Sequence, residues 1–162
     1  MIALFAFLLT LGVVPSCRDT PALHERFQKI YGSISAAALR NDYQKLRAYL
    51  APDFVAHTTS GQTLHYQDLV RFQKMNALAT RRVLSYSETI LAFLNISSET
   101  AAVIVLQRDH RIKTSAAGKP SDVSSSVVQK EVWKGANGTW RLTEVDEILS
   151  GPTVVDGKVY AG

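Results

Sequence analysis

The chain has 162 residues, 46% of them hydrophobic, with one cysteine and a formal charge of +4. That length suits one domain whose core needs no disulfide, and a lone cysteine excludes an intramolecular one. The basic residues are scattered, only Arg81 and Arg82 being adjacent, which excludes the phosphate-tracking stripe of a nucleic-acid binder and leaves at most a mild preference for anionic ligands or lipid headgroups.

Residues 1–14 are apolar and uncharged. They fall short of the roughly 20 residues that span a bilayer and fit the apolar segment of a signal peptide, although no basic residue precedes them. Val14-Pro15-Ser16-Cys17 resembles the bacterial lipobox, in which Cys17 is lipidated and becomes the mature N-terminus. The reading is therefore a signal peptide over 1–16, a lipidated N-terminus or short tether over 17–19, a domain over 20–150 and a hairpin or tail over 151–162. It places the protein outside the cytoplasm, in a bacterial cell envelope, periplasmic or held to a membrane by its lipid. The plainer alternative makes residues 1–14 a buried helix and Cys17 a small apolar filler.

Thr20-Pro21 opens a helix with a capping hydroxyl and a proline at its first position. Leu23, Phe27, Ile30, Ile34 and Ala38 then form one apolar stripe at three- and four-residue spacing. Asn41 and Asp42 can cap a shorter helix bearing Tyr43, Leu46 and Leu50, which Pro52 ends. A short strand is expected over Asp53–Thr58, a turn at Ser60-Gly61, and a third helix from about Leu64 to Leu78 that turns Leu69 and Phe72 inward. From Arg82 the period changes. Val83–Leu94, Ala101–Lys113, Val123–Lys134 and Trp140–Leu149 are β-branched or aromatic runs separated by turn signals, which makes an antiparallel meander. Ala101–Leu106 is continuously apolar and reads as a strand covered on both faces, one of them by a second copy of the chain, so a homodimer is expected. Asp156-Gly157 between apolar residues signals a terminal hairpin.

Three helices, a strand after the second and a long curved meander follow the order of the nuclear transport factor 2-like cone fold, an α+β architecture with the helices packed on a curved antiparallel sheet. Tyr31, Asn41-Asp42-Tyr43, Leu50-Ala-Pro-Asp53-Phe54, the run from Val132 to Leu142 with its two tryptophans, and Val155-Asp156-Gly157-Lys158-Val159 resemble the SnoaL-like branch of that superfamily. The resemblance covers about Thr20 to Tyr160. It implies one cavity between the first helix and the concave sheet face, and it leaves function open among isomerases, dehydratases, cyclases, epoxide hydrolases and proteins without known activity.

By that resemblance the isomerase base falls on Thr58, which cannot replace a carboxylate, and the oxyanion donor falls near Gln129. Two residues remain as proton-transfer candidates. His57 titrates in the right range but alternates to the other face from Thr58. Glu131 shares a face with Gln129 and Trp133. If that face lines the cavity, burial raises its pKa and it can serve as acid or base; the plainer reading leaves Glu131 in solvent. Tyr31, Tyr66, Arg108, His110, Gln129 and Trp133 are the ligand-binding candidates. Asp109 alternates away from His110, so the two form no dyad through their own strand. Glu144 and Asp146 read as a solvated edge. No metal-ligand spacing, phosphate loop or nucleophile elbow is present, so no metal or cofactor is expected. Three functions follow: a cavity for a small, largely apolar ligand, an isomerase-, dehydratase- or hydrolase-type enzyme using His57 or Glu131, or a dimeric interaction module.

Overall fold

The apolar stripe of the first segment winds as α1, Pro21–Leu39, and buries Phe27, Tyr31, Ile34, Ala37 and Ala38. Leu23 and Ile30 of the expected stripe pack partly buried against the core, and Tyr31 joins it fully buried. The structure, a computed structural model, describes residues 21–160; the leader and Cys17 lie outside the described residues. Asn41 ends α1 in a left-handed conformation (φ 58°), and Asp42 caps α2, Tyr43–Arg47, by accepting from the Lys45 amide at 3.0 Å. Helix α2 is shorter than expected because the chain is already extended at Leu50. Strand β1 runs Leu50–His57, with Pro52 inside an irregularity of its pairing between Leu50 and Val55, where no ladder donor is needed.

Strand β2, Thr63–His65, leads into α3, Tyr66–Ala79. The meander follows as β3, Thr80–Ile96, β4, Thr100–Thr114, β5, Pro120–Ala136, and β6, Thr139–Ser150. Each strand pairs antiparallel with the next, and β1 adds parallel to β6, giving the order β2-β1-β6-β5-β4-β3. The terminal hairpin is a ribbon: β7, Thr153–Val155, pairs with β5 and with β8, Lys158–Tyr160. Its turn residues Asp156 and Gly157 both have positive φ (50° and 78°), as a primed turn requires.

The core centres on Phe27, whose ring lies 5.1 Å from Trp140 and 5.8 Å from each of Trp133 and Phe93. Gly135 permits this arrangement, since a Cβ there would meet the Trp140 ring at 3.1 Å. On β4, Ala101, Val103 and Val105 are buried against the helices. Ala102, Ile104 and Leu106 face the opposite, convex side and are half-buried.

Bulges bend the sheet and re-aim its side chains. Strand β3 shifts register near residues 81, 84, 91 and 94. Its more buried positions therefore fall at 80, 83, 86, 88, 90, 93 and 96, with spacings of three at both ends and two in the middle. On β6 a shift opposite Val132 and Trp133 moves the inward set from Trp140 and Leu142 to Val145.

Candidate functional site

The curved sheet and the helices enclose a cavity of about 520 Å³. Its walls are apolar. Ile34 of α1, Leu46 of α2 and Leu69 of α3 line it from the helices, and Phe54 and Ala56 of β1 with Leu142 and Val145 of the neighbouring β6 line it from the sheet. Phe72, expected inward, stands 60% exposed yet still lines the cavity. It is a rim residue of α3, a helix that also leaves Met75 and Leu78 exposed.

Tyr86, Glu88, Gln107, Gln129 and Glu131 gather polar groups on the concave face of β3, β4 and β5, while Thr58, Gln62, Gln73 and Glu147 line the cavity from other elements. Gln129, Glu131 and Trp133 all line the cavity, as the period of two places them. Glu131 is only 2% exposed, which corrects the reading that put it in solvent. It is held by three donors. Tyr31 Oη donates to Oε2 at 2.7 Å, Trp133 Nε1 donates to the same oxygen at 3.0 Å, and Gln129 Nε2 donates to Oε1 at 2.7 Å. Trp133 Nε1 also lies 3.2 Å from Tyr31 Oη. Burial raises the Glu131 pKa, while the hydrogen bonds from Tyr31, Gln129 and Trp133 oppose that shift. Burial, then the Glu131 charge, raises Tyr31, which stays a phenol and a donor.

A second buried carboxyl stands on the adjoining face of β3. Glu88 lines the cavity and accepts from Tyr86 Oη at 2.5 Å through Oε1. Its Oε2 is buried with no hydrogen-bond partner among the described residues. Burial and the neighbouring Glu131 charge push its pKa up to about 8, against the smaller opposing effect of Tyr86. Three donors serve Glu131 and one serves Glu88, so Glu131 is the one of the pair that ionises first and Glu88 the one that keeps the proton at neutral pH. Glu88 is a site residue that the sequence candidates did not include. The signal was there in Tyr86-x-Glu88-x-Ile90, a two-residue alternation like that of Gln129-x-Glu131-x-Trp133.

The other candidates stand elsewhere. His57 is exposed, with Nδ1 3.2 Å from Thr63 Oγ1, while its neighbours Ala56 and Thr58 line the cavity. Strand alternation turns its ring away. Arg108 and His110 lie on the outer face of β4, because the inward positions there are odd-numbered; Gln107 lines the cavity instead. His110 Nε2 meets Asp122 at 2.7 Å, and Asp109 pairs with the buried Arg111 at 2.5 Å, so the expected lack of an Asp109–His110 dyad holds. Tyr66 opens α3 and packs partly buried against the core, outside the cavity lining. Glu144 and Asp146 meet Lys130 at 3.5 and 2.7 Å on the outer face, so the bulge in β6 separates them from Trp140 and Leu142. Among the described residues no group of His, Cys, Asp and Glu side chains is placed to hold a metal. No helix of the described residues is long and apolar enough to cross a membrane.

No family model and no curated protein matches the sequence. Solved structures match the fold. A conserved protein from Planctomyces limnophilus aligns with a TM-score of 0.62 at 14% identity over 77% of this chain and 94% of its own. An NTF2-like protein from Cytophaga hutchinsonii aligns at 0.57 and 17% identity over 76% and 95%. A hexachlorocyclohexane dehydrochlorinase, LinA type 3, from Novosphingobium barchaimii aligns at 0.60 and 10% identity over 87% and 92%. The chain therefore has the α+β cone of the nuclear transport factor 2-like and SnoaL-like proteins. At these identities the likeness carries fold, and function rests on the site.

Proposed function

We propose that this is an exported protein, anchored in the bacterial cell envelope through lipidated Cys17, whose cone domain binds a small, largely apolar ligand in its cavity. The observation that carries the binding reading is the cavity itself: about 520 Å³ with apolar walls and one convergent polar face. That is the usual build of a small-molecule site. Export and anchoring rest on the apolar leader and the lipobox-like Val14–Cys17. Native mass spectrometry of protein purified from its own host tests the binding reading. A bound small molecule is expected, and its displacement by Ala56→Trp, which adds an indole to the cavity wall, locates it. Retention of the molecule in that variant refutes the cavity as its site.

A specific observation favours a second reading, proton-transfer catalysis of the isomerase, dehydratase or hydrolase kind. Glu88, with a pKa near 8, is poised to exchange a proton at neutral pH. Glu131 is less suited as a base because three donors already occupy its oxygens, and His57 stands outside the cavity. The dehydrochlorinase among the structural neighbours shows that the fold can house elimination chemistry. The half-buried Ala102, Ile104 and Leu106 on the convex face support a homodimer built through β4. Light scattering at micromolar concentration tests this, a monomeric mass being the refuting result.

A further inference from the structure

We propose that the cavity's ligand is an organic cation, an amine carried on an apolar body. The inference rests on the cavity-binding reading and adds the ligand's charge to it.

The charge of the cavity is opposite to that of the chain. The formal total is +4, yet among the described residues the titratable side chains lining the cavity are Glu88, Glu131 and Glu147 and the phenols of Tyr49 and Tyr86, with no Lys, Arg or His. The nearby guanidinium groups are engaged. Arg111 binds Asp109 through both Nε and Nη2 at 2.5 Å, and Arg47 donates to Gln73 Oε1 at 3.0 Å. Three neutral donors stabilise the Glu131 carboxylate, but no cation lies within ion-pair distance of it among the described residues. A buried carboxylate held only by neutral donors is short of the countercharge that most buried ions have.

Glu88 supplies the independent observation. Its Oε2 is buried and has no partner among the described residues, an arrangement that native structures seldom leave without a functional reason. Once Glu88 gives up its proton Oε2 needs donors, and a ligand ammonium, which favours that ionisation, provides up to three. The aromatic lining adds a second attraction. Tyr49, Phe54, Tyr86 and Trp133 surround the same space, and ring faces attract an ammonium or alkylated amine when water is excluded. A neutral ligand would use the apolar walls and ignore the charge; an anion would be repelled by it.

The groups around Glu88 bear on how a cation would be received. Tyr86 stands on its own strand, Glu131 on β5 and Tyr31 on α1, and Asp109, paired with Arg111, stands on β4. With Glu131 already charged, an arriving ammonium favours ionisation of Glu88, whose proton leaves to solvent. Affinity for the cation therefore rises as pH increases toward 8 and levels above it.

Three rigid probes of one shape separate the possibilities: 1-adamantanemethylamine, 1-adamantanemethanol and 1-adamantanecarboxylate, titrated calorimetrically at pH 7 against the full-length protein and its Glu88→Gln and Glu131→Gln variants. The expected result is amine binding about tenfold tighter than the alcohol, with the carboxylate weakest. The preference should shrink in both variants, whose folding is checked by circular dichroism. Alcohol binding as tight as the amine overturns the inference while leaving the cavity-binding reading intact. An amine preference unchanged in a folded Glu88→Gln protein overturns it as well. Failure of all three probes to bind overturns the cavity-binding reading and the inference together.

Discussion

Glu88→Gln is the substitution that most directly probes the buried carboxyl pair. Glutamine keeps the shape and an oxygen acceptor for Tyr86 but cannot ionise. In the unfolded chain Glu88 titrates near 4.5, and in the folded protein near 8. Because the folded pKa is the higher one, the folded state binds more protons between those values, and stability falls as pH rises through that window. Below pH 4.5 both states hold the proton and the carboxyl costs nothing; above 8 the full cost of ionising it in the cavity is present. At about 1.4 kcal/mol per pH unit the interval corresponds to a ceiling of about 5 kcal/mol, and solvent relaxation around a cavity-lining group lowers the expected effect to about 2 kcal/mol. The assay is urea denaturation of parent and variant at pH 5, 7 and 9. The variant should gain about 2 kcal/mol relative to the parent between pH 5 and 9, whatever constant offset its amide introduces. Parallel stability curves across that range would refute the assignment of the proton to Glu88.

Tyr31→Phe removes one of the three donors to Glu131 and should cost about 1–3 kcal/mol near neutrality. The loss should shrink on acidification, as the carboxylate that needs the donor takes up a proton, and denaturation at two pH values reads it. Gly135→Ala places a methyl 3.1 Å from the Trp140 ring and should lower stability by about 1–3 kcal/mol through displacement of the indole; thermal unfolding measures this, and an unchanged Tm would contradict the packing described. Cys17→Ser should move the protein from the detergent phase to the aqueous phase in a Triton X-114 partition of bacterial cells. Intact-mass analysis of the parent checks the same claim, an unmodified Met1 being the result that would sink both export and anchoring.

The meander was legible in the sequence because its signals are local. Four β-branched or aromatic runs, separated by turn residues such as Asn137-Gly138, place strands within a few residues of where they lie. The helices were legible for the same reason, down to the Asp42 cap. What a strict period of two could not show is where β3 and β6 break it. Glu144 and Asp146 share parity with Trp140 and Leu142, yet the bulge in β6 places them on the outer face with Lys130. Strand β3 shifts register at four places, so its alternation holds only around Tyr86, Glu88 and Ile90. That stretch bears the missed carboxyl. On β4 and the middle of β5 no such break intervenes, and there parity alone placed Gln129, Glu131 and Trp133 together, while Arg108 and His110 fell on the wrong side for the cavity.

Charge shows the same contrast between global and local quantities. A formal +4 suggested anionic partners, but a sum over the chain does not say which charges face one another. Lysine and arginine reach solvent on long flexible stems even when those stems lie on apolar surface, and here they contribute none of the cavity lining. A glutamate on the concave face of a curved strand has no such escape. Glu131 and Glu88 stay inside because donors from Tyr31, Gln129, Trp133 and Tyr86 meet all but one of their four oxygens. The remaining oxygen, Oε2 of Glu88, is the one polar atom of the pair without a partner among the described residues, and so a ligand group that draws off the Glu88 proton has its strongest claim there.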